Sequence, residues 1–256
     1  MSDTRGVFSL RELYELKTED QWVPLNEVWV APSPSSPAIR FSDSTPETPN
    51  TGYFGGGYAF GTYSTMDKVT YASDTTAAVP GANLTVARSN LAATGNLTHG
   101  YFGGGATTSL MDKVTYSSDT TASVPGANLT LARYWLAATG NTTHGYFGGG
   151  DPGSRSTMDK VTYSSDTTVA VPGANLTLAR YGLGATGNAT HGYFGGGESP
   201  STPQKKSTMD KVTYSTDTTA AVPGANLTVA RSNLAASSAL ANGLPSTALL
   251  PTPVYL

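Results

Sequence analysis

The chain has 256 residues, a net charge of −3, no cysteine and a charged fraction of only 13%, about half the roughly 25% of an ordinary globular protein. Without cysteine there is no disulfide framework, no thiolate metal site and no Cys nucleophile. No basic stripe collects phosphates, so nucleic-acid binding is not expected, and no apolar run approaches the roughly 18 residues of a spanning helix, so membrane insertion is not expected.

Residues 1–50 differ from the rest, with eight acidic and four basic side chains. The first residues lack the apolar core of a secretory signal, which points to folding in a cytoplasm. Ser9 with Glu12 makes a capping box and predicts a short helix carrying Leu10, Leu13, Tyr14 and Leu16 at helical spacing. A helix of about nine residues does not persist alone in water. Phe8, Leu10, Leu13 and Leu16, with Trp22 and Trp29 of the stretch that follows, are therefore candidate docking residues, either for a partner protein or for the chain's own β domain. Pro32, Pro34 and Pro37 then interrupt a serine-rich run, the composition of a semi-rigid spacer. The expected division is an anchor over 1–30, a Pro/Ser-rich linker over 31–50, four repeats over 51–237 and a tail over 238–256.

The repeats announce themselves by Gly-Tyr-Phe-Gly-Gly-Gly, which occurs at 52–57, 100–105, 145–150 and 192–197. Each copy is followed by Met-Asp-Lys-Val-Thr-Tyr, then Val-Pro-Gly-Ala-Asn-Leu-Thr, then Ala-Arg. A period of about 45 residues predicts stacked or radially arranged β units. Four short strands are expected per unit: 88–94, 99–102, 111–116 and about 121–124, with their equivalents. The third alternates with period two, placing Asp112, Val114 and Tyr116 on one face; the fourth stops at Pro-Gly, a turn signal. Spacing is constant everywhere except between the triple glycine and the Met. Those four loops, 58–65, 106–110, 151–157 and 198–208, should emerge on one side of the molecule.

These residues resemble the kelch repeat. Tyr101-Phe102-Gly103-Gly104 matches its strand ending in paired glycines, Val114-Thr115-Tyr116 with Asp119 matches its Tyr–Asp strand, and Arg133 matches the Arg before the next inner strand. The kelch family usually places Trp six residues after that Tyr; Ala77, Ala122, Val169 and Ala220 stand there instead. The resemblance implies an all-β fold, a kelch-like β-propeller of four blades. Residues 231–237 would supply the first blade's missing inner strand and close the ring; an open array completed by oligomerisation is the other arrangement. The opening residues and the Tyr-Phe-Gly-Gly-Gly repeats further resemble virion proteins of tailed marine bacteriophages, cyanophages especially.

Four near-copies supply the same groups four times, whereas a catalytic site needs different groups in different roles. No catalytic residue, metal site or cofactor is expected. His99, His144 and His191 sit at equivalent positions, too far apart for ligand bonds of about 2 Å. Arg88, Arg133, Arg180 and Arg231 invite comparison with sialidase propellers, but fourfold copying argues for a structural role at blade junctions. A propeller hydrolase would need an asymmetric pair that the repeats do not offer. Recognition is expected on the variable loops: Tyr58, Phe60 and Tyr63 in the first, Asp151 and Arg155 in the third, Lys205 and Lys206 in the fourth, with Tyr134 and Trp135 in the second repeat as an added aromatic contact. The resemblance implies a non-enzymatic virion structural protein (tail fibre, spike or capsid decoration) localised to the particle, with other virion proteins, a host-surface glycan and further copies of itself as partners. A soluble glycan- or protein-binding propeller outside any virion is the alternative.

Overall fold

The computed structural model describes residues 51–238, and these are all-β. The first sheet has three strands, β1 (Thr51–Gly55), β2 (Met66–Thr70) and β3 (Thr75–Ala78). The second holds β4 (Ala92–Gly95), β5 (His99–Gly103), β6 (Met111–Thr115) and β7 (Thr120–Ser123). The third holds β8 (Ala137–Gly140), β9 (His144–Gly148), β10 (Met158–Thr162) and β11 (Thr167–Ala170). The fourth holds β12 (Gly184–Gly187), β13 (His191–Gly195), β14 (Met209–Thr213) and β15 (Thr218–Ala221). Every sheet is an antiparallel meander whose strands pair in chain order. Successive sheets pack through their inner strands, β4 on β8 and β8 on β12, in a β-propeller-like arrangement that does not close. Among the described residues no helix is long and apolar enough to cross a membrane.

The local chemistry explains the repeat motifs. Gly104 turns the chain at φ +71°, and a Cβ there would lie 2.6 Å from the Arg133 carbonyl. Only glycine combines that backbone angle with that approach. Each Val-Pro-Gly-Ala forms a single 3-10 turn, as at Pro80–Ala82, with proline where its missing N–H costs nothing. The Asn that follows accepts from the Met amide opening the third strand: Asn83 from Met66 at 2.9 Å, and likewise Asn128, Asn175 and Asn226. Asn96, Asn141 and Asn188 instead close the turns before the second strands, each accepting from amides two and three residues on.

The core lies between sheets rather than within them. One cluster combines Met66, Ala82 and Leu84 of the first repeat with Phe102 and Val114 of the second. The next combines Met111, Ala127 and Leu129 with Phe147 and Val161; a third combines Met158, Ala174 and Leu176 with Phe194 and Val212. Each repeat thus buries one half of its apolar set against its predecessor and the other half against its successor.

Two expectations are corrected. The segment expected as a strand over 88–94 is a strand only from Ala92, because Arg88 turns its side chain into the next sheet and Asn90 adopts φ +57°. The ring closure expected from 231–237 is not formed. That segment contains no strand; Asn233 donates to Gly182 O at 2.7 Å, so it rides on the fourth sheet, and among the described residues β1 pairs only with β2.

Candidate binding surface

The chemistry-bearing groups of the constant part lie at the sheet junctions. Arg88, Arg133 and Arg180 are fully buried. Arg133 donates to the carbonyls of Phe147, Gly149 and Thr157 and to the Asp159 carboxylate at 2.8 Å. Thr130 donates to the same carboxylate from its amide and its hydroxyl. Arg88 with Asp112 and Arg180 with Asp210 repeat the arrangement. A second set lies nearer the rim. Tyr101 donates to Asp166 at 2.5 Å and stacks on Tyr163, while Lys113 also bonds Asp166. Tyr53 and Lys68 do the same with Asp119, and Tyr146 and Lys160 with Asp217. Burial pushes the Asp166 carboxyl up, but the bonds from Lys113 and Tyr101 outweigh it and hold it below its ordinary value. Burial first, then its bond to Asp166, pushes the Tyr101 phenol up.

In the three four-stranded sheets the variable loop connects the second and third strands, and in the first sheet, which has no inner strand, it connects the equivalent pair β1 and β2, so each lies at the same end of its sheet. In the first, Tyr58, Phe60 and Tyr63 are 74%, 103% and 43% exposed. Asp151 and Arg155 open and continue the third loop. In the fourth, Lys205 is exposed, but Lys206 is buried: its ammonium donates to Ser201 O at 2.9 Å and to the Ser201 hydroxyl and Pro203 O. Lys206 folds its own loop and does not face a ligand. Phe8, Leu10, Leu13, Leu16, Trp22 and Trp29 lie outside the described residues.

Beside the third and fourth loops the repeats depart from one another, and an aromatic ridge results. The positions of Asn90, Trp135, Gly182 and Asn233 form a ladder across the sheets: Trp135 N donates to Asn90 O, Gly182 N to Trp135 O, and Asn233 N to Gly182 O. All four have positive φ between 54° and 61°. Asn and Gly tolerate that region; a Trp there is an outlier. The Trp135 ring, 39% exposed, stacks on Tyr181 at 5.5 Å and meets Tyr134 edge-on at 5.0 Å. Each tyrosine is backed by an acid from a variable loop, Tyr134 donating to Asp151 at 2.8 Å and Tyr181 to Glu198 at 2.9 Å. Ser232 adds a bond to Glu198 at 2.6 Å. Bonds from Ser232 and Tyr181 lower the Glu198 carboxyl, and the bond to Asp151 raises the Tyr134 phenol.

No protein-family model matches this chain, and it matches no curated protein.

The structure brings Tyr134, Trp135 and Asp151 together. Sequence reading missed Tyr181 and Glu198. The usable signal was that Tyr181 occupies the same place in its repeat as Tyr134, where the other copies carry serine. The three histidines each bond the threonine beside them through Nδ1 at 2.8 Å. Among the described residues no group of three His, Cys, Asp or Glu is placed to hold a metal.

Proposed function

We propose that the chain is a non-enzymatic structural protein of a tailed-phage virion, a fibre, spike or capsid decoration. It attaches to other virion proteins through residues 1–30 and presents its β repeats toward the host surface. The observation that carries the display reading is the Trp135 ridge: flat aromatic faces, held in place by carboxylates that still have free acceptor capacity, beside loops of variable length. Aromatic faces cover the apolar side of a sugar ring and carboxylates accept from its hydroxyls, so a host-surface glycan is the ligand class it fits. The resemblance of the opening residues and of the Tyr-Phe-Gly-Gly-Gly repeats to marine-phage proteins supports the virion setting. At the three junctions between sheets the Arg–Asp–Thr and Lys–Asp–Tyr groups bond to one another and to backbone carbonyls of the fold, which supports a scaffold rather than a catalyst. The ridge would serve equally in a glycan- or protein-binding protein outside a virion. Deletion of residues 1–30 separates the two readings. The expected result is loss of incorporation into particles with the β circular-dichroism spectrum intact; normal incorporation would overturn the anchor.

A further inference from the structure

Each junction between sheets is built from two unlike halves. The leading repeat gives a Tyr and a Lys on its second and third strands, then a Thr and an Arg after its 3-10 turn. The following repeat gives the Asp that receives the Tyr and Lys, and the buried Asp that receives the Thr and Arg. Each junction also carries one contact in the opposite sense: Thr121, Thr168 and Thr219 of the following repeat donate to the carbonyls of Ala82, Ala127 and Ala174 in the preceding repeat. The described chain has three such junctions and therefore one donor half and one acceptor half left over.

The leftover donor half is the exposed side of the fourth sheet. Tyr193, Lys211, Thr228 and Arg231 occupy the donor positions, and their side chains have no partner among the described residues; Arg231 is exposed where its three equivalents are fully buried. Ala225, exposed, and Leu227, only half-buried, are the equivalents of fully covered core residues in the other repeats. The leftover acceptor half is the first sheet. Asp67 and Asp74 stand where Asp159 and Asp166 stand in the third repeat, and they too have no partner among the described residues. Tyr71 is 57% exposed, and Phe54 is 67% exposed where Phe102, Phe147 and Phe194 are at most 5%. One end is basic with an apolar socket; the other is acidic with a projecting phenylalanine. A Cβ at Gly224 would meet open space, whereas one at Gly81, Gly126 or Gly173 would lie 2.8 Å from the Asp carbonyl of the next repeat.

We infer that the acidic face of one copy docks on the basic face of a second copy, head to tail, reproducing the internal junction between chains. Arg231 and Thr228 then bond the partner's Asp67, Lys211 and Tyr193 bond the partner's Asp74, and the partner's Phe54 enters the socket beside Met209 and Leu227. Residues 235–237, equivalents of the inner strand β4, lie where they pair with the partner's unpaired β1 edge. Within one chain this segment sits on the fourth sheet, and β1 keeps a free edge among the described residues, so the occupant we infer for that edge is a second copy. Such a contact is heterologous, so it propagates until a ring closes or a filament grows. The proposal is independent of the virion and glycan readings.

The absence of cysteine allows a direct test. Lys113 and Asp166 are in contact at an internal junction; their equivalents at the free faces are Lys211 and Asp74. K211C and D74C full-length chains are prepared separately and treated with a short bismaleimide. Neither alone should give a covalent dimer, and an equimolar mixture should. Adding R231E to the K211C chain should abolish that dimer while leaving the circular-dichroism spectrum unchanged. A K211C/D74C double variant should give dimers and longer ladders. Cross-linking of the double variant only within single chains, or no dimer from the mixture, overturns the proposal.

Discussion

Trp135 holds a backbone angle that its equivalents meet with Asn90, Gly182 and Asn233. A left-handed conformation costs a side-chain-bearing residue about 1–2 kcal/mol, and two aromatic contacts return about 0.5–1.5 kcal/mol each. The terms nearly cancel, so the ring is not there for stability. Strain retained without a stability gain points to a role at the surface. W135N, which restores the residue of two sister repeats, should move the melting temperature by no more than about 4 °C while weakening attachment to host cells. Thermal melts and cell-binding assays on the same preparation check both halves. Unchanged attachment would remove the ridge from the ligand surface.

At the scale of the elements, the Lys–Asp–Tyr junctions make stability depend on pH in two directions. Asp119, Asp166 and Asp217 are held below their ordinary value. A depressed carboxyl contributes stability that is full above the unfolded value, about pH 3.9, and is lost as pH falls through the folded one. Their side chains are 28–33% exposed, so each contribution is modest and the three act together. The tyrosines run the other way. Burial pushes Tyr116 and Tyr214 up to about 12, and Tyr101, Tyr146 and Tyr163 are also raised. Their contribution is full below the unfolded value near pH 10 and is lost as pH rises beyond it. The β signal should therefore hold between about pH 5 and 10, with phenolate absorbance from this buried set appearing only together with alkaline unfolding. D166N should reduce the acid-side loss and, because Asp166 also helps raise the Tyr101 phenol, lessen the alkaline-side loss at that junction. Phenolate formation well before unfolding would show that the junctions open without the fold.

The strands themselves were legible because period-two alternation and Pro-Gly stops are local signals, and β6 begins where Met-Asp-Lys-Val-Thr begins. What joins the sheets was less so. That Asp166 receives Tyr101 and Lys113 is a contact across more than fifty residues, fixed by how one sheet stacks on another and not by spacing within a repeat. Lys206 was misread because its loop curls back on its own ammonium, which no neighbour in sequence reveals. The Trp135 ridge was half visible: Tyr134 and Trp135 break the repeat, whereas Glu198 looks like any residue of a variable loop. Ring closure was inferred from the likeness of residues 231–237 to β4, but likeness to an inner strand does not say whose second strand it will meet.

For the molecule as a whole, the repeats make the same residue matter differently by position. In an array stabilised by nearest-neighbour contacts, an internal junction holds units on both sides and a terminal face holds only one. Arg133 is sealed between the second and third sheets with Asp159, both side chains 0% exposed. R133A strands a buried carboxylate with Thr130 alone, and breaking such a pair costs about 3–5 kcal/mol. Arg231 is the equivalent residue at a free face, so R231A in an isolated chain should cost no more than about 0.5 kcal/mol, as for an ordinary surface position. Head-to-tail docking changes only the second number. Urea unfolding at rising protein concentration should show the R133A deficit constant and the R231A deficit growing, because a contact between copies stabilises by mass action. An R231A deficit that is already large at high dilution would place Arg231 in a junction inside its own chain, closing the ring that these fifteen strands leave open.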